Sequence, residues 1–558
     1  MIRGSGGRRF RTLLLLAAGF AIDAPAVWCQ ASEEVDPPEV AIGERLFLET
    51  RFANLFFVQS HGDANAVLDS GDPVLDVTET PAGPLMGPFT GQTMNCRACH
   101  LVDEQSRVNG GGNRSYSDFA RRSPIPVRDD GETHAVRNSP SLVGATRGRP
   151  DGLLLHFDGE FATAEDLVAA TLTGRNFGWL PTERSLATRH IATIIRDDDG
   201  EGELASEFGG GYRVVLTGTD PSIPRELRLP AAYRIDVAAA TEREILDGVA
   251  KLIRAYLDSL AFAMTASGEF DGSPYDRFLA KNRLPRQPRR GESDRAYAAR
   301  LLRLVEGLGR PQFVTASDGA FVTHEQVFSF GPAELEGLKL FLRTSDVPGR
   351  SPGRTPPRAV GNCAACHAPP HFTDSGVHNT GATQEEYDAV HGDGSFVDLR
   401  IPDLAARQAN PDAYLPPTPA HPRALGPFRA VPSADDPGRT DLGLWNVLAN
   451  PELPAPQHQI QRLLCEPRGP CSRAVLLQKS VARFMTPSLR DLGHSGPYLH
   501  TGRFDSLDDV IRFYTRFAAL ARSGQVRNAA RELAGITLGE QDVMRVAAFL
   551  RALNEDYE

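Results

Sequence analysis

Several familiar signatures are missing from this chain of 558 residues. It has no glycine-rich phosphate loop, no dinucleotide fingerprint and no Ser-His-Asp arrangement, so the common nucleotide-dependent and serine-hydrolase chemistries have no starting point. It lacks the cationic excess of a nucleic-acid binder: 60 Lys and Arg against 71 Asp and Glu leave a formal charge of −11. Long apolar runs are also absent. The best one, Leu13 to Ile22, follows Arg3, Arg8, Arg9 and Arg11 and is ten residues long, too short for a bilayer span. It reads as the core of a secretory signal occupying 1–31, with export to the periplasm as the consequence. The remaining length is enough for two or three domains, and abundant glycine (52) and proline (42) point to long loops.

Cysteine is scarce, and its seven positions are informative. Cys29 lies in the signal. Cys465 and Cys471, in a Pro/Gly-rich loop, can pair in an oxidising compartment. The other four form Cys96-Arg-Ala-Cys99-His100 and Cys363-Ala-Ala-Cys366-His367. C-x-x-C-H is the attachment signature of c-type haem: two thiols at this spacing reach the vinyl groups on one porphyrin edge, and the next imidazole lies under the iron. A zinc ribbon would pair its two C-x-x-C units closely, and a thioredoxin motif does not need the histidine. Two covalent haems are therefore expected, with His100 and His367 as proximal ligands.

The surroundings of the two motifs repeat. Gly43-Glu-Arg-Leu-Phe47 precedes the first and Gly337-Leu-Lys-Leu-Phe341 the second, each reading as a short helix with an apolar face. Asn138-Ser-Pro-Ser-Leu142 matches Met485-Thr-Pro-Ser-Leu489. Asp158-Gly-Glu-Phe-Ala-Thr163 matches Thr501-Gly-Arg-Phe-Asp-Ser506, and Thr163 and Ser506 are natural N-caps for the acidic-fronted helices that follow. The expected fold is mostly α: two cytochrome c-like haem domains in tandem, 40–235 and 236–558, with long loop insertions near 285–330 and 380–480. Aligning Gly159 with Gly502 sets Tyr514 opposite Thr171. A phenolate can ligate haem iron and a threonine does not, so this alignment would close the second haem and leave the first open. A half-buried packing tyrosine is the other reading of Tyr514. Arg283 to Arg300 reads as a solvated surface or docking loop, Pro411 to Pro437 as an extended loop, and His371, His378, His391 and His421 as loop histidines without a recurring metal-ligand spacing.

Taken in order, the G-x-x-L-F elements, both C-x-x-C-H motifs, Arg137-Asn-Ser-Pro-Ser-Leu142, Phe157-Asp-Gly159, Ser273-Pro-Tyr-Asp-Arg-Phe278, Pro370-His-Phe-Thr-Asp374 and Pro497-Tyr-Leu-His500-Thr-Gly502 resemble the bacterial di-haem cytochrome c peroxidase family. In one respect they resemble its MauG-like branch, which matures methylamine dehydrogenase. The resemblance implies a calcium ion between the haems, held by Asn138 and by backbone carbonyls of Ser495 and Pro497. It also implies a ligand fourteen residues beyond His500: peroxidases of the family carry Met there, the MauG-like branch carries Tyr, and this chain has Tyr514. Two departures stand out. The family's inter-haem Trp is replaced by Phe157, which is harder to oxidise, so Trp179 becomes a candidate for electron passage. The distal glutamate has no clear counterpart. Glu183 is the nearest acid in sequence, and His134 is a candidate removable ligand of the first haem.

The implied function is a periplasmic oxidoreductase that reduces hydrogen peroxide, or uses it to oxidise a partner, at the first haem, with electrons passing through the second. Its partner would be a small c-type cytochrome, a cupredoxin or a protein substrate, and a homodimer is compatible with the family. Two other readings stand beside it: a non-enzymatic di-haem electron carrier with both irons six-coordinate, and an oxygenase acting on an apolar substrate, as in the related rubber-cleaving di-haem proteins.

Overall fold

The computed structural model describes residues 36–68, 77–80, 83–86, 94–100, 122–123, 125–147, 152–322, 324–345, 359–465 and 471–556. The signal expected at 1–31, with Cys29, lies outside them. The described chain is mostly helical. Its strands are two antiparallel pairs, Val77–Thr80 with Gly83–Met86 and Val377–His378 with Phe484–Met485. Among the described residues no helix is long and apolar enough to cross a membrane.

The sequence repeat is a repeat of backbone. The helix Pro38–Phe47 lies across Glu242–Ser259, and Pro332–Leu342 lies across Glu540–Arg551. The glycine of each G-x-x-L-F element sits at the crossing. A Cβ at Gly43 would stand 2.1 Å from the Leu252 carbonyl oxygen, and one at Gly337 would stand 1.9 Å from that of Arg545. Only hydrogen fits there, which is why both helices carry glycine despite its poor helix propensity. The second match is equally close. Leu155 bridges Phe161 and Tyr498 bridges Phe504, around a left-handed Gly159 (φ +67°) and Gly502 (φ +61°). The helices that follow, Ala164–Leu172 and Leu507–Arg522, start from Thr163 and Ser506, whose side chains accept from Asp166 N and Asp509 N at 3.1 Å.

One apolar core runs from Val40 to Leu257, so the helix that closes the first repeat lies beyond the expected boundary at 235. A second core is built from Tyr275 to Phe372 and Leu492 to Leu553. The insertions are more ordered than their loop-rich sequence suggests. Asp294–Glu306 is a helix, not a solvated loop: Tyr297, Ala298, Leu301 and Val305 recur at helical spacing and are buried in the second core. The segment near 380–480 gathers its own core around Phe396, Trp445 and Leu477, and Cys465 is joined to Cys471 beside it.

Candidate functional site

Each C-x-x-C-H folds as one tight 3-10 turn followed by its histidine. At the first, Asn95 caps the turn by accepting from Ala98 N (3.0 Å) while its Nδ2 donates to Leu48 O (3.0 Å), tying the turn to the end of the first helix. At the second, Asn362 takes a left-handed conformation and its Nδ2 donates to Glu532 O at 2.6 Å. The His100 and His367 amides then donate back to Cys96 O (2.9 Å) and Cys363 O (2.7 Å), which returns each imidazole to the side of its thiols.

Both imidazoles are held in the same way. His100 Nδ1 lies 2.9 Å from Pro140 O, and His367 Nδ1 lies 3.0 Å from Phe372 O. A carbonyl only accepts, so each Nδ1 carries the proton and each Nε2 keeps its lone pair. Such a second partner orients a metal-binding histidine. Burial holds both rings neutral, with His100 pushed down to about 4. Cys96, Cys99, Cys363 and Cys366 form no disulfide, and burial raises all four thiols, so they are protonated at neutral pH.

The two turns open into one cavity of about 1250 Å³. This is larger than the ~300–1,000 Å³ of an ordinary ligand pocket. Its walls are mainly apolar and include Cys96, His100, Cys363, Cys366, His367 and Tyr514. Thr171 and Tyr514, opposite one another in the repeat, both line it. Tyr514 is held as a neutral phenol by burial, with Cys366 adding to the upward shift and a hydrogen bond with Thr380 opposing it. Phe157 and His500, also equivalent in the repeat, meet between the halves at 6.3 Å between ring centroids. His500 stacks on Phe484 at 3.5 Å.

Asn138, Ser495 and Pro497 lie on this same wall. The Asn138 side-chain amide meets the Pro497 carbonyl, and its backbone N–H donates to His500 O at 2.8 Å. Arg137 next to it pairs with Asp441 (2.5 Å) and with Asp158 (2.7 Å), the latter outside hydrogen-bond alignment.

The three catalytic candidates are elsewhere. His134 is exposed, beside Thr133 Oγ1 at 2.8 Å. Glu183 is bound by Arg128 at 2.7 Å, which outweighs its partial burial and lowers its pKa. Trp179 is wholly buried in the first core and donates to Phe52 O at 3.1 Å. None of the three lines the cavity. The intervening turns carry His134 to the surface and set Glu183 against Arg128, while Trp179 is taken up by the first core.

The cavity instead receives His156 and Arg147, which sequence reasoning passed over, and His371, expected to be a loop histidine. His156 stands one residue before the Phe157 that drew attention, with its Nδ1 3.2 Å from Glu160. His371 is kept neutral by burial and by the charges of Arg147 and Arg490, with a pKa near 4. His378 also lines the cavity, whereas His391 packs on Tyr387 and His421 pairs with Asp412.

No family model matches the chain. A cytochrome-c peroxidase IdrP1 of Denitromonas iodatirespirans is 36% identical over 76 residues, covering 14% of this chain and 19% of the relative. Cytochrome-c peroxidase IdrP2 of the same organism is 26% identical over 198 residues, covering 35% of this chain and 36% of the relative. The chain thus spans only a fifth to about a third of the length of these curated relatives. Among solved structures, the diheme peroxidase BthA from Burkholderia thailandensis aligns with a TM-score of 0.41 at 16% identity, over 93% of this chain and 86% of that one. A MauG-like protein associated with microbial copper homeostasis aligns with a TM-score of 0.37 at 15% identity, over 96% of each chain. The expected resemblance to the di-haem cytochrome c peroxidase family is borne out.

Proposed function

We propose that this chain is a periplasmic di-haem c-type oxidoreductase of the peroxidase kind, in which each helical repeat carries one haem. The observation that supports it most is the doubled geometry: two C-x-x-C-H turns, each with Nδ1 held by a carbonyl and a lone pair left on Nε2, facing one mainly apolar cavity. The residues fit the group. Cys96 with Cys99, and Cys363 with Cys366, supply paired thiols for thioether links, and His100 and His367 supply neutral imidazoles. Bound haem would supply iron able to exchange electrons and to reduce peroxide.

The protein's own contribution is asymmetry. Tyr514 would close the second iron once its phenol loses the proton that burial now keeps on it, a loss that a nearby ferric charge favours. Thr171 offers no equivalent ligand, so the first site would be the one left open to peroxide. His156, hydrogen-bonded to Glu160 on the first site's wall, can hold and pass a proton. Phe157, His500 and Phe484 fill the space between the halves with aromatic rings and exclude water from it. Asn138 and the carbonyls of Ser495 and Pro497 would hold calcium, an oxygen-ligand set suited to that ion. Electrons would come from a small c-type cytochrome, a cupredoxin or a protein substrate.

Acid-acetone extraction of denatured protein, made with the haem-attachment machinery, should leave two haems on each chain. The open site should show a high-spin ferric band and turn over peroxide with a reduced cytochrome. Loss of the pigment on extraction would end this reading. The absence of His134, Glu183 and Trp179 from the cavity favours one alternative, a di-haem electron carrier. Wholly low-spin spectra unchanged by peroxide would select it.

A further inference from the structure

We propose that His324, Asp491 and His494 form a binding site for a divalent transition ion of the zinc class, separate from both C-x-x-C-H turns. Residues 324 and 491–494 come from distant parts of the chain. The first belongs to the segment inserted before the second repeat's opening helix, and the others to the turn Leu492–His494 and its cap. Their donor atoms all lie within 4.8 Å of one another. Asp491 Oδ1 is 2.8 Å from His324 Nε2, and Asp491 Oδ2 is 2.8 Å from His494 Nδ1. The side chains of Asp491 and His494 are 4% exposed, and that of His324 is 6% exposed.

A hydrogen-bonded triad does not account for this arrangement. His324 Nε2 is aligned with the Glu555 carbonyl (3.3 Å), not with the carboxylate it nearly touches. Among the described residues Asp491 Oδ1 accepts no hydrogen bond although it is fully buried. The two imidazoles stack face to face at 3.7 Å between centroids. No arginine or lysine pairs with Asp491 among the described residues. Arg490, next in the chain, is committed to Asp276 and Glu555. A buried carboxylate needs compensating positive charge, and a cation between the three donors supplies it.

The donor set selects the ion. Two imidazoles and one carboxylate suit zinc, at about 2.0–2.2 Å from each donor. Calcium and magnesium prefer all-oxygen shells, and copper(I) prefers sulfur. Around a tetrahedral ion the donors would stand about 3.4 Å apart, so the 2.8 Å contacts need to open by only about 0.6 Å. Bound there, the ion would pin the inserted segment to the turn that runs directly into Ser495 and Pro497 on the cavity wall. The insertion would then have a mechanical link to the haem cavity.

The test uses the full-length haem-loaded protein, stripped with a chelator and titrated with zinc chloride, with zinc and iron counted separately by mass spectrometry. One tight zinc per chain is expected, and His324→Gln and His494→Gln should each weaken it at least tenfold while haem content and circular dichroism stay unchanged. Zinc X-ray absorption on the wild type should give nitrogen and oxygen neighbours near 2.0–2.1 Å, a readout that holds even if a variant misfolds. No saturable zinc, a sulfur shell, or equal affinity in folded variants would overturn the proposal. Haem loss shows in the iron count alone, so failure of the functional reading is distinguishable.

Discussion

Tyr514 is where the chain differs most consequentially from its own other half. Replacing it with Phe removes one oxygen and leaves the ring's packing against Phe513 in place. If the phenolate ligates iron, Tyr514→Phe converts the second haem's low-spin signature to high-spin and leaves the first haem's spectrum unchanged. A low-spin spectrum identical to wild type would end the ligation idea. Glu49 makes a second residue-scale case. Burial alone would raise its carboxyl, but hydrogen bonds and charge from Arg51 outweigh this and hold it below the ordinary value of 4.5. A depressed carboxyl stabilises the fold fully above the unfolded pKa and loses that contribution as pH falls through the folded one. Arg51 keeps Asp198 as a partner at 2.9 Å, so Glu49→Gln should cost about 2 kcal/mol at pH 7, and thermal melts of the two proteins should converge as pH drops below about 4. Legibility at this scale followed covalent logic. Cys96, His100, Cys363 and His367 were readable because their chemistry demands fixed spacing. His134, Glu183 and Trp179 do not line the cavity, a placement that nothing local in the sequence records, and His156 was overlooked beside Phe157 for the same reason.

Elements carried the clearest message, because the repeat supplies two independent copies of each constraint. The glycines of the two G-x-x-L-F helices, read only as part of a motif, prove to be contact points between crossing backbones. Ordinary helix energetics favours Gly→Ala by about 1 kcal/mol. At Gly43 and Gly337 the new Cβ would meet a carbonyl oxygen at 2.1 and 1.9 Å, so the helices must separate. Overpacking of that kind costs about 1–3 kcal/mol and outweighs the propensity gain. We expect Gly43→Ala and Gly337→Ala each to lower the melting temperature by several degrees, and the losses to add, because the two crossings lie in different cores. A rise in melting temperature for either variant would contradict the crossing geometry. The capped helices after Thr163 and Ser506 were equally legible, since an N-cap is a local device. The helix Asp294–Glu306 was not: its many arginines masked a narrow apolar face that has meaning only once the second core exists to receive it.

Across the whole molecule, a buried charge cluster joins the halves. Arg137, in the first half, is bound by Asp441 from the second insertion and stands against Asp158 of its own half, the two acids being 3% and 0% exposed. One residue on, the Asn138 amide donates to His500 O in the second repeat. Arg137→Gln would strand Asp441, whereas Asp158 keeps a weaker partner in Arg429 at 3.9 Å. Breaking a buried pair from one side costs about 3–5 kcal/mol. Burial raises the Asp441 carboxyl, but Arg137 more than compensates and lowers it below 3.8. The wild type therefore holds this contribution above about pH 4 and loses it as pH falls. The variant's deficit should be greatest at neutral pH and should shrink in acid, where protonation removes the stranded charge. Calorimetry should show one transition in the wild type and two in Arg137→Gln, with the first repeat and the insertion melting apart. Adding Asp441→Asn should recover part of the loss, because it removes the charge the arginine served. Equal melting of wild type and Arg137→Gln at pH 7 would mean that the halves are coupled elsewhere, with Asn138 and His500 the next contact to break.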